Sequence, residues 1–152
     1  MPNTYSQIYI QIVFAVKGRQ NLIREDFREE LQKYITGIVE GKNTKLIAIY
    51  CMPDHVHVFV GIKPAQLISD LVKDIKVNST NFINDKKFTK QKFSWQEGFG
   101  AFSYSHSHIN NVVKYIRNQK EHHAKTNFQA EYTSFLEKFD IQFEERYLFE
   151  WV

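Results

Sequence analysis

Between Tyr5 and Val16 every second residue from Ile8 onward is apolar: Ile8, Ile10, Ile12, Phe14 and Val16 share one face, with Tyr9 and Gln11 on the other. That two-residue period predicts a strand over residues 5–16. Lys17-Gly18-Arg19 breaks it, and the period changes. Phe27, Leu31, Tyr34, Ile35, Ile38 and Val39 recur at helical spacing, predicting a helix from about Glu25 to Val39. Glu25 and Asp26 suit its positive N-terminus, and Gly41 suits its end. Residues 45–52 read as a second strand, and Pro53-Asp54 as a tight turn into a third. Side chains alternate across a strand, so Val56, Val58 and Val60 face one way and His55, His57 and Phe59 the other.

A second helix is predicted over 65–83, burying Ile68, Leu71, Val72, Ile75, Ser79 and Phe82 and exposing Lys73, Lys76 and Asn78. Residues 84–100 are loop-like, with Trp95 either packed beneath the loop, the reading preferred, or placed to stack a base, and two glycines bend the chain into an edge strand over 101–104. Ser105 and Ser107 suit the N-cap of a helix over 108–125. A short helix over 131–139 follows, then an apolar end over 146–152. The order β-α-β-β-α-β plus C-terminal helices predicts one α+β domain over 1–152, of the ferredoxin-like or RRM-like kind. Its antiparallel sheet would carry helices over the valines and leave the histidine face open.

Composition agrees with a globular fold: 43% of 152 residues are hydrophobic. No apolar run approaches the roughly 20 residues of a membrane span, and the first residues lack the order of a secretory signal. Cys51 is the single cysteine, which excludes an intrachain disulfide and a cysteine zinc site. A cytoplasmic protein is expected. The net charge of +3 is unevenly spread: Lys63–Lys92 holds seven lysines against three aspartates, and Phe128–Val152 six acids against two bases. A basic middle is compatible with a nucleic-acid groove or with an ordinary solvated face. Arg19, Lys73, Lys76, Lys86, Lys87 and Lys114 are its candidate DNA contacts.

Two imidazoles on one strand face suit a divalent cation or a phosphate, or simply solvent. Ile109, Val112, Val113 and Ile116 form the apolar stripe of the 108–125 helix. At about 100° per residue, Tyr115 stands roughly 110° from the stripe's centre and Gln119 roughly 70°. Being i and i+4, the two are neighbours. Tyr115 is either a packing tyrosine or a nucleophile. With a cation held by His55 and His57, and the Gln119 amide oxygen as third donor, a phenol could attack a phosphate. Asp54 could accept a proton from a metal-bound imidazole. His106 and His108 do not face each other on a helix, and His122-His123 reads as a solvated basic end.

Taken together, Pro53-Asp54-His55-Val56-His57 and Tyr115-x-x-x-Gln119 resemble the single-tyrosine HUH transposases of the insertion-sequence 200/605 type, including relatives acting on repetitive extragenic palindromes. The resemblance covers nearly the whole chain. It implies cleavage and rejoining of single-stranded DNA at hairpin-bearing ends through a 5′-phosphotyrosine on Tyr115. It further implies Mg²⁺ or Mn²⁺ on His55, His57 and Gln119, and a homodimer able to exchange its tyrosine helix, with the apolar C-terminus supplying buried surface. Two other readings use the same residues: a His-site metal hydrolase that does not need Tyr115, and a non-catalytic nucleic-acid module.

Overall fold

In the computed structural model, which describes residues 4–142, the chain runs β1 (Ile8–Ala15), α1 (Glu25–Gly41), β2 (Lys45–Cys51), β3 (His55–Ile62), α2 (Ile68–Asp85), β4 (Gly100–Tyr104), α3 (Ile109–Arg117), α4 (Gln119–His123) and α5 (Phe128–Lys138). The strands form one sheet in the order β2-β3-β1-β4, each neighbouring pair antiparallel. This is the ferredoxin-like arrangement that the strand and helix periods predict. Pairing sets Ile10, Ile12 and Phe14 opposite Val60, Val58 and Val56, and Gln11, Val13 and Ala15 opposite Phe59, His57 and His55. One face is therefore wholly apolar, and the other mixes aliphatics with imidazoles.

Helices α1 and α2 cover the apolar face. Leu31, Ile35 and Val39 of α1 and Leu71, Ile75 and Ile83 of α2 are buried in one cluster with the three valines. Burying each such side chain contributes roughly 1.5–3 kcal/mol, which outweighs helix propensity in holding these segments. Trp95 packs as expected: it meets Phe14 and Phe93 edge-on and donates its indole N–H to Ser79 Oγ at 2.8 Å.

The histidine face is not open. Helices α3, α4 and α5 lie over it, and His55 and His57 are only 1% and 0% exposed. Val112 and Ile116 of α3 bury against Phe59 and Ala48. Phe135 of α5 stacks on Phe102 of β4 at 5.1 Å. The cause is apolar area. The α3 stripe and the Phe128, Tyr132, Phe135 and Leu136 row of α5 would otherwise face water, and this side of the sheet offers the partner surface.

Three local expectations change with it. The tyrosine helix breaks at Asn118, whose backbone leaves helical geometry and divides α3 from α4. Ser105 and Ser107 cap no helix; their hydroxyls bond each other and Ser105 bonds His108 Nδ1, within a 3-10 turn ahead of α3. And α5 begins at Phe128, not Glu131, because Asn127 caps it by accepting the Ala130 N–H at 2.8 Å. The apolar end over 146–152 lies outside the described residues.

Candidate active site

Strand β3 delivers His55 and His57 side by side, their rings 5.1 Å apart. Each is oriented from behind. Asp54 Oδ1 stands 2.7 Å from His55 Nδ1, and Gln11 Oε1 of β1 stands 2.7 Å from His57 Nδ1. Gln11 spends its amide N–H₂ on the Tyr104 hydroxyl at 2.9 Å, so its oxygen accepts from His57. Both Nδ1 atoms thus carry their proton outward, and both Nε2 atoms point at the space between the sheet and α5.

Glu131 of α5 fills that space. Its Oε1 lies 3.2 Å from His57 Nε2, 3.0 Å from His123 Nε2 and 3.5 Å from His55 Nε2. Its Oε2 accepts from the Tyr115 hydroxyl and, at 3.0 Å, from Gln119 Nε2. The Tyr115 hydroxyl also lies 3.2 Å from His122 Nε2. Tyr115 and Gln119, neighbours by spacing, are thus brought to the histidines within one chain. The break at Asn118 accompanies a fully buried Gln119.

The electrostatics follow from burial and crowding. Burial would raise the Glu131 carboxyl, but His57, His123 and His55 hold it well below the usual carboxylate range. Burial lowers the His57 imidazole, overcoming the pull of Glu131. At His55, burial also opposes charge, but Asp54 and Glu131 together raise it. The Tyr115 phenol is pushed upward, first by burial and then by the Glu131 charge.

The donor set fits a divalent cation. His55, His57, His123 and Glu131 offer four ligand atoms within 4.8 Å of one another. His55 Nε2 and Gln119 Oε1 are buried without a hydrogen-bond partner among the described residues. Beside this centre a cavity of about 750 Å³ runs past Tyr104, His108, Asn111, Tyr115, His122 and Glu131.

Glu131 and His123 were not foreseen. His123, expected in solvent, is nearly buried against Glu131, and its ring lies 4.8 Å from that of His55. The candidate DNA contacts divide. Lys114, on α3, is exposed on the same layer as Tyr115. Lys73, Lys86 and Lys87 are exposed on or just beyond α2, across the sheet from the imidazoles. Lys76 is half-buried rather than free: it donates to the Gln96 and Gly98 carbonyls at 2.8 and 2.7 Å, and burial lowers its ammonium to about 8. The side chain of Arg19 lies outside the described residues.

A sequence model of IS200-like transposases matches residues 4–119, the stretch from the first strand to Gln119. The chain belongs to the IS200-like transposase family. The ISDra2 transposase TnpA of Deinococcus radiodurans is 23% identical over 120 residues, spanning 76% of this chain and 86% of that protein. Two solved structures share the fold. One, from Deinococcus radiodurans R1 and assigned as a transposase, superposes with a TM-score of 0.64 at 23% identity, covering 77% of this chain and 94% of that one. The other, a REP-associated tyrosine transposase bound to a REP hairpin, gives 0.61 at 16% identity, covering 82% and 73%. Membership makes this IS200-like protein a transposase that binds and recombines DNA, which separates it from the hydrolase and the non-catalytic module. No helix among the described residues is long and apolar enough to cross a membrane.

Proposed function

We propose that this transposase cleaves and rejoins single-stranded DNA at hairpin-bearing ends, with Tyr115 as nucleophile and a 5′-phosphotyrosine as intermediate. The observation that carries the reading is the meeting of the Tyr115 hydroxyl with the His55–His57 centre through one carboxylate, beside a cavity of about 750 Å³. His55, His57 and Gln119 hold a divalent cation, Mg²⁺ or Mn²⁺ by the family resemblance. When bound, it supplies charge to offset that developing on the phosphate.

The chain's own residues set up the attack. Tyr115 is a neutral phenol that donates its hydroxyl proton to Glu131 Oε2, the acceptor that would take that proton on attack. The phenol oxygen forms the bond to phosphorus as the bond to the 3′ oxygen breaks; the phenol proton passes to Glu131 Oε2 and from there, through water, to the leaving 3′ oxygen. Bond energy is retained in the phosphotyrosine, so a second 3′ hydroxyl can rejoin without a nucleotide cofactor. Asp54 and Gln11 fix the imidazoles, and α3–α5 keep bulk water from the centre. Exposed lysines, Lys114 first, hold phosphates. The whole chain acts as one cytoplasmic domain, and as a homodimer.

The test is a denaturing gel of the protein with labelled single-stranded hairpin DNA and Mn²⁺. The unaltered chain should give a protease-sensitive slow band, and Tyr115→Phe should fold, bind the hairpin and give none. An adduct with Tyr115→Phe would sink the assignment.

A further inference from the structure

The cavity beside Tyr115 extends past the reacting groups. Its inner wall is apolar and largely aromatic, from Tyr104 of β4, Val112 of α3, Phe135 of α5 and Phe139 just beyond α5. Val112 and Phe135 are buried; Tyr104 and Phe139 are half-buried, their rings edge-on at 5.5 Å. Ser103, Asn111, Ser134 and Lys138 line it as exposed polar groups. We propose that this cavity is a nucleobase pocket: it takes one base of the scissile strand, and Tyr104 reads that base by donating its hydroxyl to a carbonyl edge. This rests on the single-strand reading of Tyr115 and adds the base class to it.

The walls decide against the sugar-phosphate backbone. Holding phosphates takes cations, and besides two histidines the lining has one lysine and no arginine. It also carries the Glu131 carboxylate, which repels a phosphate. A base is uncharged, and its flat faces stack on aromatic rings for about 1–3 kcal/mol. Its polar edge would meet hydroxyls, an amide and an ammonium. At about 750 Å³ the cavity falls among small-ligand pockets, roughly 300–1,000 Å³. The phosphates are left to exposed lysines such as Lys114.

Hydrogen-bond direction sets which edge is read. Gln11 Nε2 donates to the Tyr104 hydroxyl at 2.9 Å, and that hydroxyl's own proton has no acceptor among the described residues. Burial pushes the phenol up to about 12, so it keeps that proton at neutral pH. Lys138 can only donate. The serine hydroxyls and the Asn111 amide adapt to either direction, so the two fixed donors decide. Thymine, uracil and guanine offer them a carbonyl oxygen. Cytosine and adenine turn an amino group, itself a donor, to the same edge.

The test compares fluorescein-labelled strands of deoxyuridine and deoxycytidine of equal length, whose bases exchange a carbonyl for an amino group at nearly constant shape. Anisotropy titration of the full chain, without added divalent ion so that no strand is cut, gives the affinities. The deoxyuridine strand should bind about 3–10-fold tighter, the worth of one hydrogen bond. Tyr104→Phe should bring the two strands level while leaving deoxycytidine binding as it was. Ser134→Trp, an exposed change that fills the cavity, should also level them, and it decides if Tyr104→Phe fails to fold. Equal affinities in the unaltered chain, or a preference that survives either variant, overturn the pocket. Adduct formation reports the underlying reading separately. Equal affinities with the adduct lost in Tyr115→Phe overturn the pocket alone; an adduct retained there overturns the nucleophile and with it the scissile-strand assignment.

Discussion

Gln11 Oε1 of β1 and His57 Nδ1 of β3 lie 2.7 Å apart, on strands that pair antiparallel. The contact sets the tautomer of an imidazole whose other nitrogen faces Glu131. Gln11→Leu keeps the volume but removes the acceptor. It should lower divalent-ion affinity by about 10–100-fold and stability by about 1–3 kcal/mol for the buried N–H left unpaired. Metal titration and thermal unfolding check the two effects, and an unchanged affinity would show that His57 needs no orienting partner.

Gly100 gives a way to disturb the centre without touching a donor. A Cβ at this position would stand 2.7 Å from the Tyr132 hydroxyl oxygen and 2.9 Å from the Phe102 ring. Tyr132 is one residue from Glu131 on α5, so Gly100→Ala displaces the Tyr132 ring and strains α5 against the sheet. Overpacking of this kind costs about 1–3 kcal/mol. The melting temperature should fall, and metal binding should weaken with it. A variant that melts lower yet binds metal as before would uncouple α5 from the centre.

Alkali should unfold the protein through its tyrosines. Burial pushes Tyr104 up to about 12, against a hydrogen bond from Gln11 that lowers it, and pushes Tyr132 up to about 12 as well. The unfolded phenol titrates near 10, so between these values the native state binds more protons. The stabilisation is complete below about pH 10 and is lost as pH rises towards 12. Phenolate absorbance and circular dichroism should therefore change together in that window, and Tyr132→Phe should soften the loss. Phenolate appearing with the fold intact would contradict the burial assigned to these rings.

The α2 lysines and Lys114 should separate in experiment. Lys73, Lys86 and Lys87 lie across the sheet from Tyr115, where they can hold only a part of the DNA remote from cleavage. Replacing all three by alanine should reduce the salt dependence of hairpin binding, by up to about 3 in slope if all touch duplex phosphates. Adduct formation on a short single strand should be unaffected. Lys114→Ala, on the tyrosine's own helix, should weaken both. Equal effects from the two sets would place the scissile strand elsewhere.

Much of this was legible because local periods report local structure. Alternation in Ile8–Phe14 and Val56–Val60 predicted the strands and which face their valines take. Spacing also brought Tyr115 and Gln119 together, and two imidazoles to one strand face. Glu131 was illegible for a physical reason: it sits among six acids in the last 25 residues, and nothing local distinguishes a buried carboxylate from solvated ones. Its partner His57 is 74 residues away. His123 misled through Lys120 and Lys125, which suggested water on every side. Lys120 does point outward, to Glu25 of α1 at 2.9 Å. The closure of the histidine face depended on matching two apolar surfaces far apart in sequence, a tertiary fact without a local period.

Gln11 and Glu131 bracket the centre from opposite ends of the described chain. All four strands and helices α1 and α2 are complete by Tyr104, so they leave the ribosome while α5 is still within it. The cutting centre cannot. A ribosome-bound or C-terminally clipped copy therefore lacks part of the centre, Glu131 among it. If the proposed centre does the cutting, strand breakage waits until translation has passed α5.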